Sequence, residues 1–177
     1  MSVAAEPGAD EMNQEPSTRR LAEERDLRAI FAIYMHKSVV PFLDFDPMPL
    51  EGFRPVYQDL LRDQNFFIYE VQDRLGGFYK AWRHPGRSHD VACIGCLAVN
   101  PALQGRGIAR AMMLDAMAHL KAEGVKRVEL YVESDNHRAI HLYNRLGFEV
   151  EGTLRDAYKR TGETQYVDSY LMAMMLG

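Results

Sequence analysis

The sequence predicts a mixed α/β fold, mostly antiparallel, with one parallel junction. Three observations carry this. Apolar residues recur at helical spacing in several separate stretches, with strand-like apolar runs between them. Two adjacent runs, residues 66–71 and 76–83, flank Gln72-Asp73-Arg74 as the arms of a hairpin do. The run Val91–Val99 is separated from the run 127–132 by a helical stretch, the kind of crossover that parallel strands require.

The elements follow in order. Residues 1–18 are rich in Ala, Glu, Pro and Gly and too poor in apolar groups to build a core, so a disordered tail is expected ahead of one domain over 19–177. A short strand is expected at 18–22. Leu27, Ile30, Phe31, Tyr34 and Met35 fit the i, i+3, i+4, i+7, i+8 rule of an amphipathic helix. Asp26 suits its N-terminus, and its end is expected near Val40-Pro41. Residues 42–49 are irregular. Phe42, Phe45 and Met48 there serve either as loop anchors or as pocket lining. A helix over 50–62 gathers Phe53, Val56, Leu60 and Leu61 on one side, and tolerates Pro55 only in its first turns. After the hairpin, residues 84–89 with Pro85-Gly86 lead to the central strand. A helix over 108–123 is closed by Gly124, and one over 136–146 by Gly147. Residues 148–151 and 166–174 read as a final antiparallel pair.

Composition bounds the function. At 177 residues, with 47% hydrophobic and 26% charged residues, the chain suits one domain with a sizeable core. The net charge of −4 sits in the first eighteen residues, where Glu6, Asp10, Glu11 and Glu15 face no basic residue. The rest is neutral, with no basic face for a nucleic-acid backbone, so nucleic acid is not an expected partner. The first residues lack the basic and apolar regions of a signal peptide. No apolar run approaches the roughly 20 residues that span a bilayer. A soluble, cytoplasmic protein is expected. Cys93 and Cys96 form a Cys-x-x-Cys, but three residues apart on a strand they should point to opposite faces, and no second pair completes a zinc site. Buried packing is the expected role.

One stretch organises the remainder. Val91–Val99 is rich in β-branched and small residues, as a strand covered on both faces would be. Pro101 ends it. Gly105 and Gly107 allow a sharp turn and close approach to the backbone. The next helix begins with unpaired N–H groups and a partial positive charge, a site for phosphate. By pattern alone the turn serves equally as an anion site or as a plain strand-to-helix connection. It is neither a P-loop, which needs four residues between its glycines and a following Lys-Ser/Thr, nor a dinucleotide fingerprint, whose third glycine is replaced by Arg110.

Gln104-x-x-Gly107-x-Ala109 after Leu97-x-Val99 resembles the acetyl-CoA signature, Gln/Arg-x-x-Gly-x-Gly/Ala, of the GNAT superfamily of N-acetyltransferases. A second block, Glu129-Leu130-Tyr131-Val132-Glu133, then Asn136, Tyr143 and Leu146-Gly147-Phe148, is similar to the family's strand–Asn–helix–Tyr–Gly-Phe segment. The tail, from Glu151-Gly152-Thr153-Leu154 to Tyr166-Val167-Asp168, resembles bacterial enzymes acting on L-amino acids or phosphinothricin-like analogues. The resemblance implies a mostly antiparallel sheet with helices on both faces and a splayed central parallel strand pair, into which the cosubstrate acetyl-CoA enters. It implies that the Leu97, Ala98 and Val99 backbone pairs with the pantetheine arm. It further implies that Gln104, Gly105, Arg106, Gly107, Ile108, Ala109 and Arg110 surround the pyrophosphate, and that Asn136 bonds the arm.

Tyr143 lies two helical turns after Asn136, on the same side. By pattern it reads as a core tyrosine; the resemblance makes it the acid that protonates the departing thiolate. A thiol with a reference pKa near 8.5 needs only a modest acid. No base is assigned. Glu133 is one candidate, Glu129 a weaker one, and His89 acts only through water. His137 and His141 have metal-ligand spacing but lack the Glu of a zinc protease, and no metal is expected. The expected function is acetyl transfer to the primary amine of a small molecule, an amino acid or analogue. The absence of an obvious strong base leans towards an α-amine, with a reference pKa near 7.7–8.0 against 10.4 for lysine. Arg54 and Arg83 are available to a required free carboxylate, and Phe42, Phe45, Met48 and Phe53 to an apolar side chain. Acetylation of a protein N-terminus and a non-catalytic CoA-binding module are the alternatives. The oligomeric state is open, a homodimer included.

Overall fold

The computed structural model describes residues 16–177. Most of the expected tail therefore lies outside the described residues. Its last two positions, Ser17 and Thr18, belong to the first strand instead. The elements are β1 Ser17–Leu21, α1 Leu27–Tyr34, α2 Leu50–Arg62, β2 Phe66–Val71, β3 Arg74–Arg83, β4 Val91–Val99, α3 Ile108–Ala122, β5 Arg127–Glu133, α4 His137–Leu146, β6 Glu149–Tyr158 and β7 Val167–Met175.

They build one seven-stranded sheet in the order β1-β2-β3-β4-β5-β7-β6. Every neighbouring pair is antiparallel except β4 and β5. The β2–β3 turn places Gln72 and Asp73 at φ 51° and 57°. Positive φ at both central residues matches the right-handed twist of a two-residue hairpin.

Helix α1 ends at Tyr34, earlier than its apolar spacing suggests. His36 Nδ1 meets the Ser38 N–H (3.3 Å) and hydroxyl (2.8 Å), a local arrangement that competes with helical pairing. The chain then takes a 3-10 turn at Val40–Phe42, with Pro41 in its first positions. Strand β6 runs to Tyr158, well past its expected end, because β7 supplies it with partners as far as Tyr158↔Val167.

Helices cover both faces of the sheet. On one, Ile30, Tyr34, Phe53 and Tyr57 of α1 and α2 pack on Phe66, Ile68 and Phe78. The Tyr34 and Phe78 rings stack at 5.8 Å. On the other, Met112, Met113, Ala116 and Leu120 of α3 pack on Ile94, Val128, Leu130 and Val132, and Tyr143 and Phe148 join them. Alternation then turns Glu129, Tyr131 and Glu133 of β5 to the α1–α2 side.

Two irregularities shape the centre. Opposite β3, Lys80 pairs with Gly95 and Phe78 with Ala98, so Cys96 and Leu97 together oppose Tyr79. Cys96 takes φ 50° at this bulge. The extra residue reverses the alternation of β4. Ala92 and Ile94 belong to the α3 core, whereas Cys96 and Ala98 pack into the α1–α2 core. Cys93 and Cys96 therefore share a face, which corrects the expectation that they oppose one another. Both are free thiols, pushed up to about 12 by burial. Secondly, β4 and β5 pair only at Val91↔Arg127, Ala92↔Val128 and Cys93↔Glu129. Beyond that they part, while β5 stays paired with β7 along its whole length. Among the described residues no helix is long and apolar enough to cross a membrane.

Candidate functional site

The parted strands open a cavity of about 1490 Å³. Leu97, Ala98 and Val99 form one wall, and among the described residues the β4 edge facing β5 has no strand paired to it there. The chain leaves β4 through Asn100. Its side-chain oxygen accepts the Ala102 N–H (3.0 Å) and its amide donates to the Leu75 carbonyl (2.9 Å). This fixes the Pro101–Leu103 turn and delivers Gln104 to the cavity. Gly105 and Gly107 follow at φ 82° and 76°. A Cβ at either would meet no atom within 4 Å, so glycine is required by the left-handed backbone, not by crowding.

Gly107 sits at the N-cap position of α3, and among the described residues no side chain caps the helix. The first-turn amides of Ile108, Ala109 and Arg110 thus keep their hydrogen-bonding capacity beside the cavity those residues line. Gln104 crosses the gap. Its amide reaches the Val99 carbonyl (3.5 Å), and its oxygen accepts from Arg138 of α4 (2.9 Å). Arg110, Arg138 and Arg145 bring positive charge to this end of the cavity. Arg106 is exposed and does not line it. Asn136 caps α4, accepting the Ala139 N–H at 3.2 Å, and still borders the cavity. An uncapped helix start, positive-φ glycines and arginines together fit a phosphate-bearing cosubstrate.

The other end is built from segments that are distant in sequence. Residues 38–47, the end of β5 and the β6–β7 connection converge there. Arg160 is the fastener. It donates to the Pro41 carbonyl (2.8 Å), grips Asp135 with two bonds (2.7 and 3.0 Å) and lies over the Phe42 and Tyr158 rings. Tyr158 also donates to the Pro41 carbonyl (3.1 Å), and the Thr161 hydroxyl to Asp46 (2.6 Å).

Tyr143 and Glu133 reach the gap from opposite faces of the sheet. Tyr143 is 8% exposed, lines the cavity and makes no hydrogen bond among the described residues. Burial, then the charge of Glu133, pushes its hydroxyl well above the usual tyrosine range, so it stays protonated. The Glu133 carboxyl is raised chiefly by burial, and further by Asp135 and Asp44; its own N–H and Arg160 pull the other way.

Other expected residues are placed elsewhere. Glu129 is engaged by His84 (2.7 Å) and Arg127 (3.3 Å). His89 bonds the Gly86 carbonyl and Asp90, outside the cavity. Arg54 lies by Glu51 and Glu24, and Arg83 donates to the His89 and Glu123 carbonyls, so neither offers the cavity a carboxylate anchor. Phe42 and Phe45 line the cavity; Met48 packs against the α1–α2 core and Phe53 is buried within it. Asp44, Trp82, Cys96, Tyr131, Asp135 and Arg160 also line it. Sequence pattern did not single these out for the site, because nothing local marks residues that meet only after the sheet has formed.

The mycothiol acetyltransferase of Actinosynnema mirum is 45% identical over 88 residues, covering 49% of this chain and 29% of that relative. The chain thus spans less than a third of the length of such relatives. A solved GCN5-related N-acetyltransferase from Kribbella flavida superposes with a TM-score of 0.72 at 25% identity, covering 90% of this chain and 98% of that one. A spermidine N-acetyltransferase from Vibrio cholerae, solved with CoA and spermine, shares the fold with a TM-score of 0.76 at 24% identity, covering 90% of this chain and 95% of that one. A family model matches residues 25–148, from α1 through α4 to Phe148, and by that match the chain belongs to the acetyltransferase (GNAT) family.

Proposed function

We propose that the protein is an acetyl-CoA-dependent N-acetyltransferase acting on the primary amine of a small molecule. The observation that carries this is the meeting of Tyr143 and Glu133 at a gap whose far end has uncapped helix amides and arginines. Acetyl-CoA supplies the thioester. The amides after Gly105 and Gly107, with Arg110, hold its pyrophosphate, while the free β4 edge at Leu97–Val99 pairs with the pantetheine arm. Gln104 and Asn136 border that arm.

At the reacting end the chain handles three proton transfers. Glu133 accepts one proton from the incoming ammonium, leaving a lone pair on nitrogen. As the C–N bond forms and the C–S bond breaks, Tyr143 gives its proton to the departing sulfur. The nitrogen then loses its second proton, which restores the Tyr143 phenol and leaves a neutral amide, and Glu133 releases its proton to solvent. Burial suits both groups, because it keeps the phenol protonated and makes the carboxylate a stronger base.

The latch through Arg160, Tyr158 and Thr161 ties the 41–46 segment to the β6–β7 connection. That closure supports a compact acceptor over an extended peptide. The expected amino-acid acceptor loses its support from Arg54 and Arg83, so the reading rests at a primary amine.

The test is CoA release from acetyl-CoA over a panel of amines, compared between the native protein and Tyr143→Phe. Turnover is expected with at least one amine, and kcat is expected to fall about 10²-fold or less in the variant. Acetyl-CoA affinity should be unchanged. A variant as fast as the native protein, with chemistry rate-limiting, removes Tyr143 from the mechanism.

A further inference from the structure

Charge divides the cavity. Its arginines Arg110, Arg138 and Arg145 lie on α3 and α4. Its carboxylates gather at the other end, on Asp44, Asp46, Glu133, Asp135 and Glu163. The basic groups lining that end, among the described residues, are Lys159, Arg160 and the His137 imidazole, which lies near enough to act on the Asp135 carboxyl. Arg160 is engaged by Asp135, with Glu163 at 3.8 Å. The Lys159 ammonium rests over the Tyr166 ring. Asp46 accepts the Thr161 hydroxyl. Asp44 and Glu133 have no ion-pair partner among the described residues, although they face one cavity and lie near enough for Asp44 to act on the Glu133 carboxyl.

Carboxylates in a low-dielectric cleft attract a cation and repel an anion. A second observation points to a polar guest at the same place. Tyr143 is nine-tenths buried as a residue, lines this cavity and makes no side-chain hydrogen bond among the described residues, so its hydroxyl is left for a polar guest there. On the α1–α2 side the cavity wall carries Trp82 and Tyr131, whose ring faces favour a cation over an anion.

On the basis of the N-acetyltransferase reading, we propose that the acceptor end selects an amine carrying a second positive charge and no carboxylate, and rejects zwitterionic amino acids. Glu133 receives the reacting ammonium and Asp44 holds the distal cation. The sequence alone pointed the other way, to an acceptor held by its carboxylate.

Three four-carbon amines test this, since they differ only at the far end: 1-aminobutane, 1,4-diaminobutane and 4-aminobutanoate. Each is measured twice, by kcat/KM with acetyl-CoA and by equilibrium binding to the protein–CoA complex. The diamine should exceed the monoamine by about tenfold or more, and the carboxylate should rank last. The ratio of diamine to monoamine should shrink in Asp44→Asn, and in about 0.5 M salt. Equal or better use of 4-aminobutanoate than of 1-aminobutane, or no preference for the diamine, overturns the proposal. If the binding order holds and no amine is acetylated, the transfer reading fails and the charge preference stands. If acetylation proceeds in the reverse order, the charge preference fails and the transfer reading stands.

Discussion

Glu133 joins sequence to chemistry through a single side chain. It closes β5, where alternation turns it away from the α3 core, and the end of the strand brings it to the cavity. There burial and the neighbouring Asp135 and Asp44 charges raise its carboxyl, against the pull of its own N–H and Arg160. The sign of the pH effect follows. In the proposed transfer only the deprotonated form takes a proton from the acceptor, so acid is expected to suppress the rate. With the value raised, suppression begins at a higher pH than an ordinary glutamate, near 4.3, would give. The acidic limb of kcat against pH is therefore expected to lie above that of an unperturbed carboxylate, and to be lost in Glu133→Gln. An acidic limb unchanged in the variant assigns it to another group. Tyr143 stays protonated across this range, because burial drives its hydroxyl the other way from ionisation.

At the scale of elements, the β6–β7 connection and the 3-10 turn at Val40–Phe42 act as one wall because Arg160 binds both. The guanidinium holds the Asp135 carboxyl below its usual range. A depressed carboxylate stabilises the fold above the unfolded value, near 3.9, and that contribution is lost as pH falls through the lower folded value. The stability gap between the native protein and Arg160→Ala should thus be constant from neutral pH to about pH 5 and narrow in stronger acid. Asp135 is 45% exposed, so solvent screening keeps the gap modest. The same variant should raise the acceptor KM several-fold and leave that of acetyl-CoA unchanged, since the proposed phosphate end is built from α3 and the turn before it. Lys in place of Arg160 restores charge but not the two-bond grip, and should rescue only in part. Equal changes in both KM values would show a general loss of structure instead.

For the whole molecule, the decisive feature is a sheet that divides at its centre. The halves are held by the three pairs at the start of β4 and β5 and by packing on the two faces. A ligand seated between the strands binds the folded state alone. At a hundredfold excess over its Kd, such binding contributes about 2.7 kcal/mol. For a domain of this size that raises Tm by roughly 5–11 °C. A thermal melt with acetyl-CoA should show this rise, and adenosine, which lacks the pyrophosphate, should not reproduce it. An unchanged melting temperature at saturating acetyl-CoA would remove the gap as its binding place.

Local periodicity determined much of this without any tertiary information. Leu50–Arg62, Phe66–Val71 and Val91–Val99 have the bounds read from apolar spacing, because the face a helix or strand buries is written at intervals of a few residues. The glycine turn was legible for the same reason: Pro101, Gly105 and Gly107 act on their own backbone. What depended on register was not legible. The bulge at Cys96 shifts alternation by one residue, which moves every following side chain to the other face, and only packing against both layers selects it. Strand β6 extends to Tyr158 because β7 is there to pair with it. Arg160 finds Pro41, 119 residues away, and Tyr143 meets the charge of Glu133 across a sheet that has opened. The acidic surroundings of the acceptor end arise in the same way, from Asp44, Glu133 and Glu163 on three separate segments. Charges scattered along a neutral sequence acquire a sign at one place only when the fold brings them together, and so the tertiary structure decided the character of the pocket.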